Sequence, residues 1–217
     1  MRRMGIAVCM MVLYLASPAA AWNGTGHRIV AAIAYARLAP RVRAHVDELI
    51  REHPDYSRFI EGAPEEPRAR ARAAFISAAT WPDRIKGDPR FWDESRKDSH
   101  PTPLLTGFPD MERHGNWHYF DTPFAPDGAR APNPLPPTAL SELRRLLREF
   151  AHEPEAAAAY DLPWIEHIVG DLHQPLHCID RYLESQPQGD AGGNRVYLAP
   201  RGNLHALWDA AAGTDQS

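Results

Sequence analysis

The chain has 217 residues, 44% of them hydrophobic, which suits one domain with a real core. Its formal charge is −4 at pH 7, which excludes the broadly basic surface that holds duplex DNA by counterion release. Only two cysteines are present, which excludes a disulfide framework and a cysteine-rich structural zinc shell.

Arg2 and Arg3 precede an apolar run from Gly5 to Ala16, followed by small residues ending in Ala19-Ala20-Ala21. This is the three-part pattern of a secretory signal peptide, and the run is shorter than the roughly 20 residues a membrane anchor needs. Cleavage after Ala21 predicts a domain at 22–217, a mature N-terminus at Trp22, and a secreted or periplasmic location. The mature chain then loses two positive charges, going from −4 to −6. Cys9 leaves with the leader, and the lone Cys178 reads as a small buried residue. No later segment is apolar enough to span a membrane. Asn23-Gly24-Thr25 is a glycosylation sequon.

Helical periodicity begins in "GHRIVAAIAYARLA", where Gly26 allows a turn beforehand, and Pro40 opens a second helix, "PRVRAHVDELIREH". "RARARAAFISAATWPDRIK" is a third, with Pro82 perturbing its C-terminal part and Asp83 at its end. From Gly87 to Pro137, proline, glycine and aspartate predict long loops. "PTALSELRRLLREFAHE" is amphipathic, another helix starts near Pro163, and a last one starts near Asn203. The expected fold is mainly α.

Eleven histidines are present, several in short polar clusters. His167/Asp171 and His205/Asp209 are each four residues apart, so each pair shares a helical face. Either pair alone reads as a surface ion pair worth under about 1 kcal/mol. His177 follows Asp171 by six residues, and Pro175 re-aims the chain between them. Asp83, His118, Trp22 and His27 add to a set of imidazoles and carboxylates that suits zinc. His45, His53 and His152 read as solvated, His100 and His114 as loop residues able to take adventitious metal, and His173 as a residue orienting a neighbour.

The stretches "WNGTGH", "TWPDRIK", "WHYFD", "HIVGDLHQPLH", "GGN" and "NLHALWD" resemble, in order, those of the trinuclear-zinc nucleases of the S-one/P-one type, relatives of bacterial zinc phospholipase C. The resemblance implies a phospholipase C/nuclease-type helical fold with long loops, here apparently lacking the family's C-terminal helices, since eight residues follow Asp209. It implies three zinc ions. One would take Asp83, His118, His167 and Asp171. Asp171 would bridge to a second, held by His27 and by the free amine and carbonyl oxygen of Trp22. A third would take His177, His205 and Asp209.

The implied reaction is hydrolysis of single-stranded DNA, RNA and 3′-nucleotides to 5′-phosphate products by a hydroxide shared between two zincs. Asp83 would orient that hydroxide. Lys86 stands where the family commonly has an arginine, supplying charge without the bidentate fork. Tyr119, Asp121 and Asn194 would recognise the base, Tyr119 by stacking. A zinc phospholipase C and an inactive zinc-binding remnant are the rival readings; the short "WNGTGH" spacing and Asp209 favour the nuclease. An oligomer is compatible with this reading.

Overall fold

A computed structural model describes residues 22–96, 99–200 and 202–213. The expected signal peptide, residues 1–21, lies outside the described residues. Eight α-helices carry the described chain: α1 (Gly24–Arg37), α2 (Pro40–Leu49), α3 (Tyr56–Phe59), α4 (Pro67–Ala78), α5 (Trp81–Lys86), α6 (Ala139–Glu149), α7 (Glu155–Asp171) and α8 (Leu204–Asp209). The only strands among the described residues, β1 (Thr122–Phe124) and β2 (Ile179–Arg181), pair in parallel, with Thr122 opposite Ile179. The fold is mainly α, as the periodicity predicts.

Local chemistry sets the helix starts. Asn23 caps α1 by accepting from Gly26 N at 3.2 Å. Pro40 and Pro67 sit in the first turns of α2 and α4, where a missing N–H costs nothing. The Glu66 carboxylate accepts from Arg68 N and Ala69 N, at 3.0 and 2.6 Å. Thr138 and Ser141 form a reciprocal box at the head of α6, and Asn203 caps α8 through Ala206 N at 2.7 Å.

The helix around α7 is the centre of the molecule. α1, α5 and α6 pack against it, and α1 also packs on α4. Residues from Ala158 to Trp164, then His167, Ile168, Gly170 and Asp171, are buried. Trp81 and Trp164 anchor an aromatic core; the Trp81 ring centroid lies 6.0 Å from Trp164, 5.4 Å from Tyr160 and 5.8 Å from Phe91. Burying such side chains contributes about 2–3 kcal/mol each.

Four expectations need correction. The helix expected to start near Pro163 starts at Glu155, and Pro163 lies inside it. Burial on both sides of the proline outweighs the local cost of a missing donor. The third predicted helix is two: α4 ends at Ala78, and Pro82 stands in the first turn of α5, so Asp83 sits near a helix start rather than at an end. Gly26 is within α1, and a Cβ there would stand 2.7 Å from Trp22 Cβ; the glycine makes room for the tryptophan. His53 is buried, not solvated: its ring is parallel to Tyr160, edge-on to Trp81 and tilted against Phe59, and its Nδ1 accepts from Asp55 N at 3.0 Å. No helix among the described residues is long and apolar enough to cross a membrane.

Candidate metal centre

α7 presents His167 and Asp171 one turn apart, with His167 Nε2 3.1 Å from Asp171 Oδ2. α1 brings His27 against them: its ring stacks on His167 at 3.9 Å, and Nε2 lies 3.2 Å from Asp171 Oδ1. Gly170 permits this approach, since a Cβ there would stand 2.7 Å from His27 Nδ1. His118 ends a 3-10 turn, Gly115–His118, and its Nδ1 is 2.9 Å from His167 Nε2 and 3.2 Å from Asp171 Oδ2. Asp83 from α5 completes the set, with Oδ1 3.7 Å from His167 Nε2 and 3.8 Å from His118 Nδ1.

A further group adjoins it. Gln174, in extended geometry before Pro175, turns the chain out of α7 into the 3-10 turn Pro175–His177, as the proline predicts. His177 Nδ1 then reaches His118 O at 2.6 Å. Phe120 N donates to His177 O at 2.7 Å, which ties the two histidine segments together. α8 supplies His205 and Asp209, 3.6 Å apart. α8 is backed by the first described residues: Asn23 N donates to Asp209 O at 3.1 Å, and the Asn23 side chain donates to Gly213 O.

Three groups thus have ligand atoms within 4.8 Å of one another: His27, His167 and Asp171; Asp83, His118 and His167; and His177, His205 and Asp209. Their hydrogen bonding fits metal. Nδ1 of His167, His177 and His205 each faces a carbonyl oxygen, of Ala79, His118 and Gly192, at 2.8, 2.6 and 2.7 Å. Those partners place the proton on Nδ1 and leave a lone pair on Nε2. The Nε2 atoms of His177 and His205 then face each other at 3.1 Å, two acceptors with no donor between them. A dication between them resolves that conflict; two nitrogens bound at about 2.0–2.1 Å to a tetrahedral ion lie close to this separation. Both ring nitrogens of His27 and Asp171 Oδ1 are likewise buried without a hydrogen-bond partner.

Electrostatics agree. Burial lowers the pKa of His27, His177 and His205, and lowers His118 to about 3, keeping these rings neutral. Burial opposes the charge on Asp171, but the His167, His118 and His27 rings outweigh it and hold the carboxyl well below its usual range. Burial likewise opposes charge on Asp83, and Lys86, His167 and His118 outweigh it. His167 is the exception: Asp171 and Asp83 overcome its burial and raise it. Burial pushes Asp209 up to about 7, so a metal there displaces a proton below neutral pH.

A groove of about 610 Å³ opens over both clusters, lined by His118, His177 and His205 and by Lys86, Tyr119, Asp121 and Asn194. Lys86 Nζ donates to Asp83 Oδ1 at 2.7 Å. Tyr119 is 39% exposed, which rules out a core role. Burial, then Asp180 and Asp190, raise Asp121 to about 7. Asn194 Nδ2 donates to Ala191 O at 2.9 Å. Trp22 is half-buried, packed on Gly26.

One reading does not hold, and two residues escaped notice. His173, just past the end of α7, is exposed and meets only Val169 O of that helix, at 2.7 Å; it orients no ligand. His114 lies in a loop as expected, but it is buried, stacked on Trp117 at 3.8 Å and bonded to Asp110, and belongs to none of the three groups. Gln174 does what His173 was expected to do: its amide donates to Asp209 Oδ1 at 2.7 Å. The available signal was a side-chain amide midway between two predicted ligands, three residues after Asp171 and three before His177. Arg113, in the predicted loop, also lines the groove, and nothing in its local sequence marks it.

Adjoining His/Asp groups beneath a groove in a helical domain define a protein with sites that could hold metal ions. The S1/P1 Nuclease family model matches residues 22–217, and the chain belongs to this family. It is 39% identical over 75 residues to Nuclease S1 of Aspergillus oryzae, covering 33% of this chain and 23% of that protein. It is 25% identical over 228 aligned positions to Endonuclease 2 of Arabidopsis thaliana and 23% over 220 to Endonuclease 3 of the same plant. Each alignment takes in 95% of this chain, which spans 62% and 60% of those two relatives.

Proposed function

We propose that this protein is a zinc-dependent phosphodiesterase that hydrolyses single-stranded DNA or RNA and 3′-nucleotides, leaving 5′-phosphates. The observation that carries this is the facing pair of acceptor nitrogens, His177 Nε2 and His205 Nε2, beside two further His/Asp groups, with His118, His177 and His205 lining one groove. Asp83, His118, His167 and Asp171 would hold one zinc. Trp22, His27 and Asp171 would hold the second, and His177, His205 and Asp209 the third. Bound there, zinc supplies a nucleophile at neutral pH by lowering the pKa of water toward about 7, and stabilises charge on the leaving oxygen.

The chain's own groups do the rest. Asp83, kept ionised, accepts a hydrogen bond from the attacking water and aims it; its low proton affinity makes it an orienting group rather than a proton store. Lys86 braces Asp83 and brings positive charge to the phosphate. The exposed Tyr119 ring stacks on a base, which suits unpaired strands and any sequence. Asn194 spends one N–H on Ala191 and offers its other N–H and carbonyl oxygen to a base edge. Asp121, with its pKa near 7, serves as donor or acceptor there.

Export with removal of residues 1–21 converts the Trp22 nitrogen from an amide to an amine able to bind metal. The test is metal analysis of protein beginning at Trp22, paired with chelator-sensitive hydrolysis of single-stranded DNA and RNA beside phosphatidylcholine. About three zincs and nucleic-acid cleavage support the reading. Lipid cleavage supports a phospholipase C, and fewer metals with no hydrolysis support an inactive remnant.

A further inference from the structure

We infer that Arg113 binds a second phosphate of the substrate strand, one flanking the phosphate that is cleaved. The inference rests on the nuclease reading above and concerns a residue outside the three His/Asp groups.

Arg113 closes the segment between α5 and the 3-10 turn that carries His118. Its backbone is fixed: Arg113 N donates to Trp92 O at 3.1 Å, and Trp92 N to Met111 O at 2.9 Å. One guanidinium nitrogen, Nη2, donates to Asp88 O at 3.3 Å and tethers the side chain. Nε is buried with no hydrogen-bond partner, and no carboxylate among the described residues is paired with Arg113. A guanidinium has five N–H donors; Nε–H is buried and a carbonyl takes one on Nη2, which leaves the two N–H groups of Nη1 and the second of Nη2 for a ligand.

Arg113 lines the same groove as Lys86 and Tyr119. The two cations differ in what engages them. Lys86 is bonded to the candidate ligand Asp83, so its charge belongs beside the reacting phosphate. Arg113 touches no ligand carboxylate, and a planar fork matches two oxygens of one phosphate. The groove, at about 610 Å³, holds far more than a single phosphate group. In a chain of net charge −4, one such arginine attracts a strand locally where the overall field does not.

The test compares parent, Arg113→Ala and Arg113→Lys, each checked for parent-like thermal melting. Binding of a fluorescein-labelled single-stranded oligothymidylate is followed by anisotropy across a salt series. kcat/KM is measured on that oligonucleotide and on a 3′-mononucleotide, which has one phosphate. Arg113→Ala is expected to bind about tenfold more weakly and to flatten the log–log salt slope by about 0.7, with Arg113→Lys keeping most of the slope. Its kcat/KM falls about tenfold on the oligonucleotide, through KM, and less than threefold on the mononucleotide. An unchanged salt slope, or equal losses on both substrates, overturns the inference. If the parent cleaves neither substrate, the nuclease reading fails, and the anisotropy slope still decides the role of Arg113.

Discussion

The Gln174 side-chain amide donates to Asp209 Oδ1 at 2.7 Å, joining two buried residues that lie 35 positions apart in the chain. Gln174 Oε1 accepts from Leu176 N, so both ends of the amide are engaged and its orientation is set. The carboxylate of Asp209 is thereby aimed toward His205. Gln174→Ala is expected to lose 10–100-fold in metal affinity at the His177, His205 and Asp209 group while the other groups keep theirs. Zinc titration against a competing chelator reads this. A variant that binds all its metal with parent affinity refutes it.

Gly170 tests the packing of α1 on α7. Ala for Gly inside a helix ordinarily gains about 1 kcal/mol. Here the added Cβ would meet His27 Nδ1 at 2.7 Å and Cε1 at 3.1 Å, with His27 pinned between α7 and the stacked His167 ring. Gly170→Ala is expected to lose about 1–3 kcal/mol in the metal-free protein and to bind metal poorly at His27. Thermal melts with and without chelator, with zinc content, decide it; a more stable, metal-replete variant counts against this packing.

Lys86→Arg should raise turnover several-fold. The Nζ–Asp83 bond shows that a cation at this position already reaches the Asp83 carboxylate. A guanidinium keeps that bond and adds a second donor for the phosphate. Equal kcat in the two proteins would mean that the fork brings nothing here.

His53 gives a pH prediction outside the metal centre. Burial lowers its pKa from 6.5 to about 3. Between those values the unfolded chain binds a proton that the folded chain does not, so stability rises with pH through this window and is lost as pH falls below about 6.5. At pH 5 the loss attributable to His53 is about 2 kcal/mol. Urea melts of parent and His53→Phe at pH 5 and 7.5 should show the variant less sensitive to acid by this amount. Parallel profiles would show that His53 does not titrate on unfolding.

The helical class was legible because apolar spacing is a local property, and so were the faces: His167 with Asp171 and His205 with Asp209 follow from a period of 3.6 residues. The re-aiming of His177 was equally local, resting on Pro175. Pro163 and His53 were misread for one reason. Each has a local preference, against helix or for water, that burial around α7 and Trp81 overrides. Asp83 shifted from helix end to helix start because a proline reads as a breaker or an opener depending on what packs beside it.

What the chain's order of residues determined alone was which His and Asp side chains are candidate ligands and how they pair within single helices. The tertiary structure decided which pairs meet. His27 reaches His167 because Gly170 leaves space, and Asn23 braces α8 through Asp209 O. It also decided which neighbours serve them, Gln174 rather than His173, and that loop cations, Arg113 among them, line the groove. Periodicity reports the direction of a side chain relative to its own helix, whereas contact between segments depends on how whole helices dock, and that is set by the burial of the entire core.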